Sequence, residues 1–197
     1  CIRDSFKQAI EHEQKIAYTI AFKILFYGGL REGELLALTP DDIPRDEALI
    51  DINKNYAVVD RVEYFLTPKT ERSVRIVTIP DILHAEILEY IDSIEVDHDE
   101  RIFYFGKSGL SDEFKRMKKK ADAEDIRIHD LRHSHAAMLI NMGVGIEEIS
   151  RRLGHDSIKT TWDTYSHLYP GTDKVLAGKI EDLIKKEAEE KDVPKYD

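Results

Sequence analysis

The residues best suited to chemistry lie in two stretches and one turn. In the longer stretch, Ile128 to Leu168, His129 and Arg132 stand three apart at the start of an expected helix, so both project from one face. Leu153-Gly154-His155 ends another helix and leaves an imidazole in the connection; Tyr165 follows ten residues later. In the shorter stretch, Arg31 and Glu34 are one helical turn apart, and Lys69 sits in the polar turn Thr67-Pro68-Lys69-Thr70. A guanidinium keeps its charge at any working pH and grips phosphate oxygens in bidentate fashion. Cations fixed in advance stabilise the charge that develops on the non-bridging oxygens of a phosphodiester. A phenol, with a pKa near ~10, becomes a nucleophile only where a base and a cationic pocket help remove its proton.

Each residue also has an ordinary reading. Tyr165 is one of nine tyrosines, and a tyrosine on an amphipathic helix usually belongs to the core. Arg31 could simply pair with Glu34 or Glu32 at the surface, and Lys69 has Lys54 and Lys107 as rivals. His129 and His133 have the i, i+4 spacing of metal ligands, but no HExxH glutamate accompanies them and Asp130 and Leu131 supply no third ligand. His133, His135 and His167 therefore read as structural or supporting. The basic run Lys115, Arg116, Lys118, Lys119, Lys120 reads as a solvated helix face that could also follow a phosphate backbone.

The elements that must position these groups follow from periodicity. Gln8 to Tyr27 has helical spacing and is punctuated by Gly28-Gly29; a second helix opens near Arg31 and stops before Pro40. Ala48–Ile52, Asp60–Thr67 and Ser73–Ile79 read as strands, with Pro68–Arg72 as the turn between the last two. Helices are then expected over Asp81–Ile91, Ser111–Ala123, His129–Met142, Ile146–Leu153, Ser157–Tyr165 and Lys174 to about Glu190. Gly143, Gly145 and Gly154 fall at expected C-caps. The fold class is α+β, mostly helical, with a small antiparallel sheet beside a helical bundle. One domain is expected over 1–170, followed by an acidic helical tail over 171–197 whose apolar face carries Val175, Leu176, Ile180, Leu183 and Ile184.

The 197 residues suffice for a sizeable core, and 42% hydrophobic with 35% charged residues describes a globular chain. Lys23 interrupts the longest apolar stretch, so no membrane span is expected. No secretion signal is legible and the single Cys1 has no internal partner, which points to the cytoplasm. The net charge of −10 argues against a protein that coats DNA, since phosphate neutralisation supplies most non-specific affinity. A basic cleft inside an acidic shell remains compatible with it, and weak intrinsic affinity for DNA is expected.

The two stretches together resemble the tyrosine site-specific recombinase, or phage integrase, family. IHDLRHSHAAMLINMGVGIEEISRRLGHDSIKTTWDTYSHL is similar to that family's second box, H-x-x-R, then L-G-H, then a tyrosine with Y-x-H; YGGLREGELLALTPDDI is similar to its first. The resemblance spans nearly the whole chain in the family's order. It implies Tyr165 as nucleophile, Arg31 and Arg132 as clamps on the scissile phosphate, and His155 as a further donor. It also implies His129 as base or its assistant, Lys69 as the acid for the departing 5′ oxygen, and Glu34 as a brace. Thr70, Arg72, Ser157, Lys159 and Thr160 are candidate contacts to the DNA backbone.

The resemblance further implies a 3′-phosphotyrosyl intermediate, double-stranded DNA as partner, a synaptic tetramer that is monomeric as an isolated domain, and no metal or nucleotide cofactor. Integration or excision of a phage or mobile element in a bacterial cell is the implied task, the protein joining the nucleoid when bound to DNA. The family's N-terminal core-binding and arm-binding domains find no counterpart in this sequence. Chromosome-dimer resolution, type IB topoisomerase activity and a non-catalytic scaffold derived from an integrase are the rivals. The tail could pack on its own domain or on a neighbouring protomer.

Overall fold

The computed structural model describes residues 15–60, 62–67, 70–123, 126–169 and 172–191. Its first helix, α1 (Ile16–Lys23), widens at its end into a π-helical turn, Ile24–Gly28, which Gly29 closes in the left-handed region (φ 69°). Earlier residues of the expected Gln8–Tyr27 helix lie outside the described ones. A short α2 (Glu32–Leu36) follows, stopped before Pro40 as anticipated. The helices α3 (Asp81–Asp92), α4 (Lys107–Lys120), α5 (Ile128–Asn141), α6 (Ile146–Leu153), α7 (Ile158–Tyr165) and α8 (Thr172–Lys191) complete the helical part. The fold is mostly helical with antiparallel strands, as the sequence implied.

The strand pairing differs from expectation. Strand β1 (Leu49–Ile52) pairs with β4 (Arg75–Thr78), Ile52 opposite Arg75, while β2 (Asn55–Val59) pairs with β3 (Val62–Leu66), Val59 opposite Val62. The expected hairpin turn at Pro68–Arg72 is thus a connection between two separate two-stranded ladders. The hairpin turn lies at Asp60, whose positive φ of 51° a short polar side chain tolerates. Strand β2 was hidden because Asn55, Tyr56 and Ala57 do not alternate cleanly, although Tyr56 is buried against Phe65 of β3. Helix α4 starts four residues before the expected Ser111 and ends at Lys120. Lys115, Arg116, Lys119 and Lys120 are exposed on it, as a solvated face requires. Gly143 and Gly154 take the positive φ expected of them, but Gly145 is extended and serves as the N-cap of α6.

The apolar side chains form two bodies. The larger joins Ile20, Phe22 and Leu25 of the first helix to Leu35 and Leu36 of α2, Ile50, Ile52 and Val77 of the β1–β4 ladder, and the inner faces of α3 and α4. The smaller consists of Ala136 and Ile140 of α5, Ile149 and Leu153 of α6, and Tyr165 of α7. On α8 the side chains of Leu176, Ile180, Leu183 and Ile184 are exposed.

Candidate active site

Glu34 is the anchor of the site. It lies on α2 with only 4% of its surface exposed, accepts the Arg31 backbone N–H at 2.7 Å, and so closes the open N-terminus of its own helix. Arg75 reaches the same carboxylate with two parallel bonds of 2.9 Å each, and the Arg31 guanidinium adds one at 2.7 Å. Burial alone would raise this carboxyl; the two guanidiniums more than reverse that and hold its pKa at about 2. Arg75 escaped the sequence reading, although a signal existed. It alternates with Val77 on the inward face of β4, and an inward charge on a strand needs a partner.

The two arginines singled out by sequence meet on consecutive carbonyls. Arg132, buried on α5, donates to Gly29 O at 2.6 Å and, through its other terminal nitrogen, to Leu153 O. Arg31 donates to Gly154 O at 2.9 Å. The glycine permits the αL turn that turns these carbonyls inward; a Cβ there would stand 2.9 Å from the Arg75 guanidinium. Burial, then Arg31 and Arg75, pull the Arg132 pKa down to about 9, so the group stays cationic at neutral pH.

A second layer supports this arrangement through the end of the first helix. The last carbonyls of a helix lack partners of their own, and here side chains supply them. His135, fully buried, takes Phe26 O at 3.0 Å; Arg152 takes Tyr27 O and, on the far side, Thr78 O. Arg152 also donates to His135 Nε2 at 2.9 Å, and Arg75 donates to the Arg152 carbonyl. The expected structural role of His135 is met in this way. Burial, then the Arg152 charge, keep its pKa at about 4.

His155 follows directly after the shared carbonyls, with its Nδ1 2.7 Å from Thr161 Oγ1 on α7. Burial, then Arg132, Arg31 and Arg75, bring its pKa to about 4, so it is a neutral hydrogen-bonding group at pH 7. Tyr165 is 4% exposed, its ring packed in the smaller core. Burial raises its pKa and the Arg132 charge pulls the other way.

One sequence expectation is displaced. The group on the Tyr165 hydroxyl is His133, whose Nδ1 lies 2.6 Å from it. His129, expected beside the tyrosine, is exposed one turn earlier and stands edge-on to the His133 ring, centroids 4.6 Å apart. The i, i+3 face shared with Arg132 pointed to His129. The turn of α5 that packs on α7 carries His133 instead. No group of three or more His, Cys, Asp or Glu side chains among the described residues is arranged to hold a metal ion.

Lys69 lies outside the described residues. Its neighbours Thr67 and Thr70 line a cleft with Arg31, Glu34 and Asp156. Of the candidate backbone contacts, Thr70 donates to Asp156 Oδ1 at 2.6 Å and Arg72 to Asp156 O at 2.7 Å, tying the β3–β4 connection to the His155 loop. Ser157 Oγ caps α7 by accepting the Lys159 N–H, while Lys159 and Thr160 are exposed on its first turn.

The model of the phage integrase family matches residues 4–171. Among curated proteins, the ICEBs1 integrase of Bacillus subtilis is 35% identical over 92% of this chain and 54% of its own length. Transposase A of transposon Tn554 from Staphylococcus aureus is 32% identical over 74% of this chain and 42% of its own. The chain therefore spans about half the length of the curated relatives it matches. Among solved structures, the Tn1549 transposon integrase in complex with a circular-intermediate DNA superposes with a TM-score of 0.75 at 22% identity, covering 92% of this chain and 63% of that one. The catalytic domain of bacteriophage HP1 integrase gives 0.57 at 18% identity, covering 88% and 90%. These likenesses confirm the fold. No helix among the described residues is long and apolar enough to cross a membrane.

Proposed function

The chain belongs to the phage integrase family, and on that premise we propose that it cuts and rejoins DNA at specific sites, holding the broken strand as a 3′-phosphotyrosine on Tyr165. The observation that carries this reading is the meeting of Arg31 and Arg132, distant in sequence, on the consecutive carbonyls of Leu153 and Gly154 beside His155. Two guanidiniums oriented from one loop form a cradle for the non-bridging oxygens of a single phosphate. Glu34 and Arg75 hold Arg31 in place, and His155 supplies a neutral donor.

Tyr165 attacks phosphorus, the 5′ oxygen departs with a proton from Lys69, and rejoining is the same step with another 5′ hydroxyl. The ester conserves the bond energy, so the reaction requires neither metal nor nucleotide. The partner is double-stranded DNA and the task is integration or excision of a mobile element, in keeping with the integrase and the transposase that the chain resembles. The working assembly is a tetramer, with the exposed apolar face of α8 docked on a neighbouring protomer. His129 assists at the rim of the site, and Thr70, Arg72, Ser157, Lys159 and Thr160 lie along the DNA backbone.

A nicked suicide duplex carrying the element's own ends tests the reading. Full-length protein should give an adduct that survives denaturant and EDTA. Tyr165→Phe should bind the same DNA and give none. An adduct from Tyr165→Phe, or none from the full-length protein, overturns it.

A further inference from the structure

We propose that His133 is the group that takes the proton from Tyr165 when the nucleophile attacks. The inference deepens the functional reading above and rests on it. Its ground is geometric. The Tyr165 side chain is buried, and its hydroxyl lies 2.6 Å from His133 Nδ1, at hydrogen-bond distance. A general base must lie within hydrogen-bond reach of the proton it removes, and His133 does. Its ring is held on two sides, by the edge of His129 at 4.6 Å and by the Tyr165 ring at 5.6 Å between centroids.

The charged surroundings suit an acceptor. From its own helix and that helix's cap, His133 faces His129, Asp130, Arg132 and Arg127; from the opposite side it faces Tyr165 and His155. Burial is the main influence and lowers its pKa, the Asp130 carboxylate opposes this, and Arg132 and Arg127 add to it. The imidazole is therefore neutral at pH 7, with a lone pair available. In the step, the Tyr165 O–H bond breaks and its proton moves to His133 Nδ1. The phenolic oxygen bonds to phosphorus, and the P–O5′ bond breaks with its electron pair going to the 5′ oxygen, which takes a proton from Lys69. Rejoining runs the same transfers backwards, and His133 returns the proton to the phenol.

The test compares His133→Ala and His133→Asn with the parent in single-turnover cleavage of the suicide duplex from pH 5.5 to 9.5. The asparagine can hold the tyrosine by a hydrogen bond at about the position of Nδ1 but takes up no proton in this range. Both variants should cleave about 10²-fold more slowly at pH 7, lose the rise in rate that accompanies imidazole deprotonation, and recover as the phenol itself ionises at high pH. A duplex with a 5′-bridging sulfur, whose leaving group needs no protonation, should rescue Lys69→Ala and leave His133→Asn slow. Parent-like rates in His133→Asn would reduce the residue to a positioning contact and overturn the proposal; so would rescue by the sulfur substrate. If the parent itself gives no adduct, the functional reading falls first and this one with it. Unchanged DNA binding and unfolding midpoint in the two variants separate either result from misfolding.

Discussion

The half of the site proposed to grip phosphate and the half that carries the proposed nucleophile are built differently. Arg132, Arg75, Arg31 and Arg152 each reach at least one backbone carbonyl far away in sequence, and Glu34 and Arg132 are almost wholly buried. That half grows out of the large core, and moving any member strands another polar group. Tyr165 belongs to the small core of α5, α6 and α7, and its helix presents Ile158 and Trp162 to solvent. The cation platform is over-determined, whereas the helix carrying Tyr165 is attached by a modest apolar contact, one hydroxyl bond to His133 and the His155–Thr161 bond. On the proposed function, a rigid electrostatic cradle paired with a lightly held tyrosine is an arrangement in which the attacking group can be repositioned without disturbing the phosphate site.

The contrast can be broken from either side. The largest effect is expected from Arg132→Ala: it should slow strand cleavage by about 10²-fold or more, by the scale of losing one oxyanion donor. It should also destabilise the fold, because Gly29 O and Leu153 O each lose a buried partner at about 1–3 kcal/mol. Single-turnover cleavage and urea unfolding would report the two effects. Parent-like cleavage would mean the phosphate binds elsewhere.

Glu34→Gln comes next. It leaves Arg31 and Arg75 facing each other without their shared charge, at a cost of about 3–5 kcal/mol in unfolding free energy. The same carboxyl gives a pH signature: held at about 2 in the fold against an ordinary 4.5, it stabilises fully above pH 4.5 and ceases to do so as pH falls towards 2.

His135 acts earlier in a titration. It is charged in the unfolded chain below pH 6.5 and kept neutral in the fold down to about 4. Stability is therefore complete above 6.5 and falls by about 3 kcal/mol as pH drops from 6.5 to 4. His135→Gln should make urea midpoints less dependent on pH over that interval, the remaining slope coming from His155, which is also held at about 4, even if the variant is less stable at pH 7. A slope unchanged by the substitution would remove His135 from the platform's support.

The smallest effect is reserved for the Tyr165 side. Ser157→Ala removes the α7 cap and should cost about 1 kcal/mol or less, seen as faster hydrogen exchange in α7 with little change in the global unfolding midpoint. A large global loss there would mean that the two halves are one cooperative body.

Much of this was legible beforehand, and what was not has physical reasons. Helices α5, α6 and α7 follow periodicity, and the first two end at glycines, so their limits came within a residue or two. Arg31, Arg132 and Tyr165 stood out through the order and spacing of the motifs around them, since each residue alone has an ordinary reading. The strand pairing was hidden because β2 lacks alternation and the connection at Pro68–Arg72 has the composition of a hairpin turn. Arg75 went unnoticed among β-branched neighbours. His133 was passed over because helical spacing says which residues share a face, but the packing of α7 across the smaller core decides which of those faces meets Tyr165.

The π-helical turn at Ile24–Gly28 has a further consequence, best seen as a matter of phase. Its wider ring makes room for one residue more than an α-helical turn would, and each residue in a helix turns the chain by about 100°. The carbonyls of Phe26, Tyr27 and Gly29, which receive His135, Arg152 and Arg132, point where they do because of that count. Removing a single residue from the turn would leave every side chain of the cluster intact and yet rotate all three acceptors away from it. The insertion thus works as a key cut to one depth: the chemistry of the site is written in side chains, but their alignment is stored in the length of a helix that contributes none of them.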